Sequence, residues 1–282
     1  SSHSIFTHVP HYPPGNAMAA SAASPTGTLI GPTAQGLLQG ACVGLCDPKL
    51  AVAREAAEDL SRHLTQASPS ELGTTFDFAL APIFARLSEQ DAPAPLLEAL
   101  LAALAPLLER AATAAVPSGR AARVFPLVME RLLGLLERKE VMASEDLASA
   151  TLRCAEATLS RWYRLCNRDA EVVRLQLGFL THLAVQLMER GHRDLRLRCA
   201  SILCAVVREE RSADALACFY PGVCTALVKV LLKGDFKLGS KVVTAACDTW
   251  REWILAVLSD AANGAAGAGG EAPLILASLF RQ

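Results

Sequence analysis

The sequence predicts an all-α fold, and three observations lead to that prediction. Of its 282 residues, 50 are alanine and 44 are leucine, which are among the strongest helix formers. Aromatic residues make up only 5% of the chain, whereas β-rich proteins depend on aromatic and β-branched side chains. Apolar residues recur every three or four positions in most segments, the spacing that gives a helix one buried face. These features exclude a β-sandwich or a β-barrel.

The apolar periodicity predicts ten helices along the chain. Its clearest example is the series Leu50, Ala53, Ala57, Leu60 and Leu64. The predicted helices cover residues 33–46, 48–66, 70–88, 94–113, 120–139, 145–166, 170–190, 193–210, 213–232 and 238–259. A last apolar segment covers residues 272–281. Short links join these segments, and none of them alternates as a strand would.

Helix-starting residues lie at the breaks between several of these segments. Asp47-Pro48, Ser68-Pro69, Pro117-Ser118 and Ser144-Glu145 combine N-cap residues, proline or first-turn acids. Each of these breaks therefore predicts the beginning of a helix.

Three segments that combine apolar, aromatic and proline residues indicate a repeat. Pro82, Pro126 and Pro221 are each followed by a leucine five or six residues later, and we expect each segment to begin a helix. The prolines are 44 and then 95 residues apart, and the second interval fits two periods of about 47. Two helices in 40–47 residues are typical of HEAT-type repeats. The sequence thus predicts an α-solenoid of HEAT/armadillo-type helix pairs. A closed helical bundle is the alternative topology, and it would need fewer or longer helices around a single core.

Composition divides the chain into four parts. Residues 1–31 are predicted to be a disordered N-terminal tail, and residues 32–260 to form the solenoid. Residues 261–272 are a Gly/Ala-rich flexible linker, and residues 273–282 are the start of a further helix.

Charge and cysteine content restrict the class of partner and the compartment. With 27 Lys+Arg against 28 Asp+Glu, no overall field attracts the chain to nucleic acid or anionic lipid. The nine cysteines include no C-x-x-C pair, so we expect small buried apolar side chains in a reducing compartment rather than a metal site. Charged residues interrupt every later apolar run, which argues against a membrane span. We therefore expect a cytoplasmic protein with a nuclear pool.

No segment carries the motif of an enzyme or a cofactor site. Residues 234–241 resemble a phosphate-binding loop, but Ser240 precedes Lys241, the reverse of the order that such a loop needs. The sequence contains no G-x-S-x-G, H-E-x-x-H or G-x-G-x-x-G motif. We therefore predict no enzymatic activity, no cofactor, and no catalytic, cofactor-binding or metal-binding residue.

The densest positive charge is a candidate partner surface. It consists of Arg190, Arg193, Arg196 and Arg198. The competing interpretation is a solvated turn between helices. Trp250 and Trp253 share one helix face, where they belong either to the core or to an interface.

A turn signature within residues 213–260 resembles a known family. Its residues are Pro221, Gly222, Gly234, Asp235, Phe236 and Gly239. Glycines 234 and 239 permit a tight turn, and Asp235 can cap the following helix. Weaker similarity extends to residues 79–87 and 195–203. The whole segment is similar to the Tel-two-interacting protein one family, the large HEAT-repeat subunit of the Triple T (TTT) co-chaperone complex.

The resemblance implies a non-enzymatic scaffold that supports the maturation, stability and assembly of PI3-kinase-related kinases. It implies as partners the other TTT subunits, the heat-shock chaperone machinery and those kinases, and it supplies no catalytic residue. The alternative is a generic HEAT/armadillo adaptor in transport or peptide recognition. Such an adaptor should carry a stripe of like-placed charges along successive second helices, and the sequence pattern gives only the cluster at residues 190–198.

Overall fold

The computed structural model describes residues 34–190, 193–210, 223, 244–252 and 254–255. Within this part of the chain every regular element is a helix. The elements are α1 (Ala34–Leu45), α2 (Leu50–Gln66), α3 (Pro69–Leu87), α4 (Ala94–Arg110), α5 (Ser118–Leu136), α6 (Lys139–Ala143), α7 (Glu145–Trp162), α8 (Glu171–Arg190) and α9 (Arg193–Glu210). Two 3₁₀ turns cover Thr113–Ala115 and Tyr163–Leu165.

The helices are arranged in consecutive pairs that form two layers. Helices α1, α3, α5 and α8, here called the A helices, each pack against the next long helix in the chain. These partners are α2, α4, α7 and α9, here called the B helices. Each A helix also contacts the next A helix, and each B helix the next B helix. This arrangement confirms the predicted all-α solenoid.

Successive B helices share a wider contact than successive A helices do. In the described chain, the side-chain hydrogen bonds between residues distant in the sequence join residues 39 to 54 positions apart, which is about the length of one repeat. Each repeat thus contacts mainly its neighbours.

Two of the four predicted helix beginnings are confirmed by a side-chain cap, whereas the helix predicted from Asp47-Pro48 begins at Leu50 without one. Ser68 caps α3 in a reciprocal capping box, in which its hydroxyl accepts from the backbone of Glu71 and the Glu71 carboxylate accepts from the Ser68 backbone. Ser144 likewise caps α7 through the backbone N–H of Leu147. Pro117 occupies the N-cap position of α5.

The prediction that Pro82 and Pro126 begin helices is wrong. Both lie inside helices, Pro82 in α3 and Pro126 in α5. Proline removes one backbone donor but does not end a helix whose two sides are held by packing. The two prolines also occupy different positions within their helices, so they do not mark equivalent points of the repeat. Pro221, the third member of the pattern, lies outside the described residues.

Three predicted helices end earlier than expected. The helix predicted over 94–113 ends at Arg110. The helix predicted over 120–139 ends at Leu136, because Arg138 is extended and the separate short helix α6 follows it. The helix predicted over 145–166 ends at Trp162 and continues as the 3₁₀ turn. The predicted tail, linker and final helix, residues 1–31, 261–272 and 273–282, lie outside the described residues.

The core is continuous along the row of pairs. Trp162 is fully buried, its ring lies 4.8 Å from that of Phe76, and its Nε1 donates to the carbonyl of Leu108 at 3.2 Å. Phe125 and Tyr163 pack edge to face at 5.0 Å. The contacts of Trp162 join successive repeats, whereas Phe125 and Tyr163 pack within one repeat. The aromatic side chains are thus distributed along the row of pairs rather than filling a single centre.

Four arginines, here called the arginine ladder, join the ends of helices in neighbouring repeats. They are Arg86, Arg110, Arg138 and Arg161. In the A layer, Arg86 donates to the carbonyls of Leu45 and Asp47 at the end of α1, and Arg138 to those of Leu87 and Glu89 at the end of α3.

The B layer repeats this arrangement. Arg110 donates to the carbonyls of Thr65 and Ala67 after α2, and Arg161 to that of Ala111 after α4. The last carbonyls of a helix have no partner within it and carry partial negative charge. Each guanidinium therefore neutralises the end of the corresponding helix one repeat earlier.

Two glycines allow backbones to approach closely. A Cβ on Gly73 would lie 2.7 Å from the carbonyl oxygen of Ala112 and 2.6 Å from the Cβ of Ala115. A Cβ on Gly44 would lie 2.8 Å from that of Ala56. Gly134, on the exposed side of α5, has open space instead.

The cysteines behave largely as the sequence predicts. Of the seven in the described chain all are free, and Cys42, Cys154, Cys166, Cys199 and Cys204 are buried. Burial raises the pKa of the Cys154 and Cys199 thiols to about 12. Cys46 and Cys247 are exposed instead.

We predict that Arg138→Ala lowers the free energy of unfolding by about 2 kcal/mol, because two carbonyls lose a charged donor. Arg123→Ala, on an exposed position of the preceding helix α5, should change it by less than about 0.5 kcal/mol. Urea unfolding followed by circular dichroism measures both. Equal effects of the two substitutions would contradict a structural role of the ladder.

We predict opposite signs for alanine at two glycines. Gly73→Ala should destabilise the protein by about 1–3 kcal/mol, because the new methyl group meets the backbone of the 3₁₀ turn. Gly134→Ala should stabilise it by about 0.5–1 kcal/mol, because alanine favours an exposed helix position that has room for it. Thermal unfolding of both variants checks this, and a stabilising Gly73→Ala would refute the close approach.

We predict that a maleimide reagent labels Cys46 and Cys247 before it labels Cys154 and Cys199. Only the thiolate reacts, and burial both shields the last two thiols and raises their pKa. Mass spectrometry of peptides from briefly labelled native protein measures the order. Early labelling of Cys154 would contradict the packing of α7 against α4.

Candidate protein-interaction surface

The exposed sides of the four B helices form a continuous surface, here called the B face. At least one contact between side chains or from a side chain to the backbone bridges each seam between neighbouring B helices. Between α2 and α4, the Ser61 hydroxyl donates to the carbonyl of Ala102 at 3.1 Å. Between α7 and α9, Arg198 pairs with Glu156 at 2.7 Å.

The seam between α4 and α7 carries a bidentate ion pair. Arg153 Nε and Nη2 donate to the two carboxylate oxygens of Glu109 at 2.6 and 2.8 Å. The hydrogen bonds to this carboxylate raise the pKa of Arg153 further above its ordinary value. Because Glu109 lies near the end of α4, this ion pair connects α4 and α7 toward the carboxyl-terminal end of α4.

The rest of this seam is an open groove of about 360 Å³. Its floor is apolar and consists of Leu101, Ala102, Ala105 and Ala150. Glu98 and Asp146 stand at the rim toward the amino-terminal ends of α4 and α7, and Arg153 lines the other end. Both rim carboxylates are exposed. The groove thus combines a small-residue floor with a negatively charged end.

The two rim carboxylates belong to a longer series. Each of the four B helices exposes at least one carboxylate within its first two turns. One carboxylate from each helix is here assigned to the acidic row, which consists of Glu55, Glu98, Asp146 and Asp194; α7 also exposes Glu145. The sequence interpretation, which found only the arginine cluster, missed this row. Its signal is the spacing of 48 residues from Glu98 to Asp146 and from Asp146 to Asp194.

The predicted arginine surface is only partly within the described chain. Arg198 is about one third exposed and forms the bridge to Glu156. Arg196 is partly buried on the same helix. The side chains of Arg190 and Arg193 lie outside the described residues. A common partner surface formed by these four residues stays a prediction.

The predicted signature turn lies outside the described residues. Pro221, Gly222, Gly234, Asp235, Phe236 and Gly239 are therefore not placed. Between them, Val223 is buried. Residues 244–252 are helical, and Thr249 Oγ1 donates to the carbonyl of Ala200 on α9 at 3.1 Å.

Trp250 is partly buried and packs against the core. It also lines a hollow of about 270 Å³ with Cys247, Arg251, Ile254 and Leu255. Trp253 lies outside the described residues. The sequence left open whether the tryptophan pair belongs to the core or to an interface. Trp250 contacts the core and also lines the surface hollow.

A charged contact fastens the turn after α7 to the end of α9. Glu209, whose side chain is only 6% exposed, pairs with Arg164, and the Tyr163 hydroxyl donates to Glu210. Burial, and next the hydrogen bond to Glu210, raise the pKa of Tyr163. Arg168 lies over the Tyr163 ring at 5.6 Å. The contact is structural, because every group in it faces another protein group.

The A helices expose a different kind of surface. Large apolar side chains stand on their outer sides: Leu37, Val43, Phe78, Leu127, Val172 and Leu175. Asp77 and Arg120 lie 3.7 Å apart across α3 and α5. The apolar residues are distributed over four helices, and single exposed apolar side chains are common on protein surfaces.

The described surfaces lack the features of a metal site and of a membrane span. In this part of the chain no three His, Cys, Asp or Glu side chains come together as a metal site would require. None of the described helices is both long and apolar enough to cross a membrane. What the B face offers is an extended row of charge beside an apolar groove.

Comparison with solved structures supports the fold. An engineered protein has a TM-score of 0.59 at 15% identity, covering 84% of this chain and 92% of that one. A second engineered protein has a TM-score of 0.59 at 19% identity, covering 81% and 87%. A designed armadillo repeat protein has a TM-score of 0.56 at 15% identity, covering 79% and 82%. Comparison with curated proteins gives no significant match.

A family profile matches residues 36–271, and its description is "TTI1 N-terminal TPR domain". The B helices begin at residues 50, 94, 145 and 193, which is a longer period than the 34 residues of an ordinary tetratricopeptide repeat. The matched region includes all of α2 to α9. The chain therefore belongs to the TTI1 N-terminal domain family.

Proposed function

We propose that this protein is a non-enzymatic scaffold subunit of a TTT-type co-chaperone complex. In that role it supports the maturation, stability and assembly of PI3-kinase-related kinases. The observation that carries the proposal is the family match over residues 36–271, which the resemblance at residues 213–260 anticipates. Its partners are the other TTT subunits, the heat-shock chaperone machinery and the kinases.

The architecture supports this proposal physically. A row of helix pairs presents a long surface on which several partners bind at separate places. The buried thiols have raised pKa values and are poor nucleophiles, as a structural rather than catalytic role requires. We propose that the protein acts without a cofactor, without nucleic acid and without a membrane, in the cytoplasm and in a nuclear pool.

A second candidate function is a generic adaptor that recognises basic peptides. The acidic row favours it, because like-placed carboxylates on successive B helices are what such an adaptor needs. The two functions differ in their consequences for the kinases. A scaffold of the TTT type keeps them folded, whereas an adaptor for other peptides leaves them unaffected.

We predict that depletion of this protein from its native cells lowers the abundance of PI3-kinase-related kinases several-fold and leaves their messenger RNA unchanged. Clients that fold incompletely are removed by quality control, so their steady-state level falls. Quantitative immunoblotting measures the kinases, and re-expression of the full chain is the control that should restore them. Unchanged kinase levels after complete depletion would favour the adaptor.

A further inference from the structure

We propose that the groove between α4 and α7 binds an amphipathic helix of another subunit of the complex, one that carries lysine or arginine beside small apolar side chains. The proposal rests on the proposed function, which supplies the class of partner. The groove proposal adds to the proposed function the place of contact, the conformation of the bound segment and the charge of that segment.

Charge complementarity identifies the sign of the occupant. Glu98 and Asp146 stand at one end of the groove, and Glu55 and Asp194 continue the acidic row on the helices to either side. A basic side chain laid into this end gains attraction from Glu98 and Asp146, and an acidic one is repelled.

The chemistry of the floor identifies the conformation of the occupant. An extended peptide needs hydrogen-bonding partners for its own backbone, which amide side chains would supply. The groove is lined by leucine, alanine, two carboxylates and one arginine, and the arginine is already bonded to Glu109. A helix satisfies its backbone internally, so it can cover an apolar floor without such partners.

The alanines determine how close that helix comes. Side chains at a helix contact set the distance between the axes, about 8–10 Å, and small side chains give the lower end of this range. Ala102, Ala105 and Ala150 leave space for the ridge of a third helix between α4 and α7. This is the helix-in-groove mode of recognition.

The test measures binding of the full chain to each purified TTT subunit by a direct titration. Glu98→Lys together with Asp146→Lys should raise the Kd for one subunit about tenfold at low ionic strength and less at high salt. Glu130→Lys, on an exposed position of the A helix α5, is the matched control and should bind as the wild type does. Circular dichroism establishes that all variants are folded.

A second variant fills the groove without changing its charge. Ala102→Trp should also raise that Kd at least about tenfold, because the indole occupies the place of the incoming ridge. Ala81→Trp, on an exposed position of α3, is its control and should leave the Kd unchanged. A photo-crosslinking residue in place of Ala102 should then link to a helical segment of the same subunit, within one turn of a lysine or arginine.

The possible results separate the two proposals. If the wild-type chain binds TTT subunits and both groove variants bind equally well, the groove proposal is overturned while the proposed function stands. Crosslinking only to a kinase, to a second copy of this chain or to an extended segment also overturns it. If the wild-type chain binds none of the subunits, the proposed function and the groove proposal both fall.

Discussion

Hydrogen bonds from arginine side chains to helix ends one repeat earlier hold the row of helix pairs in register. A helix leaves its last carbonyls without partners, and in a solenoid these ends recur at every repeat. Arg86 and Arg138 satisfy them in the A layer, and Arg110 and Arg161 in the B layer. A sliding movement between neighbouring pairs would separate a charged donor from its acceptors. The position of each pair relative to the next is therefore specified by polar contacts as well as by packing.

The same register creates the B face. Because successive B helices begin at the same edge of the row, carboxylates near their beginnings come together although they are distant in the sequence. Glu98 and Asp146 are neighbours at the groove in this way. Neither α2 nor α4 has an acid in its first turn, whereas α7 and α9 do. The negatively charged end of the groove is therefore a product of the stacking of the helices.

Sequence reasoning predicted the features that depend on adjacent residues and missed those that depend on the stacking. The caps at Ser68 and Ser144 involve residues three positions away, so local patterns reveal them. Pro82 and Pro126 were wrongly predicted to begin helices and so to mark the repeat. In the sequence alone, a proline inside a helix cannot be distinguished from one at its start, because the packing around it is unknown. The acidic row escaped notice because Glu98 is the fifth residue of α4 and Asp146 the second of α7. Only the contact between the helices shows that they are neighbours.

The alanine content has a consequence beyond helix propensity. At the seam between α7 and α9, Arg198 and Glu156 form a partly buried bridge. At the seam between α4 and α7, the bridge from Arg153 reaches Glu109 near the end of α4, and Ala102, Ala105 and Ala150 line the seam beside it. Larger side chains at these three positions would fill the groove and leave a flat charged surface. Alanine therefore both favours the two helices and keeps the space between them open to a third.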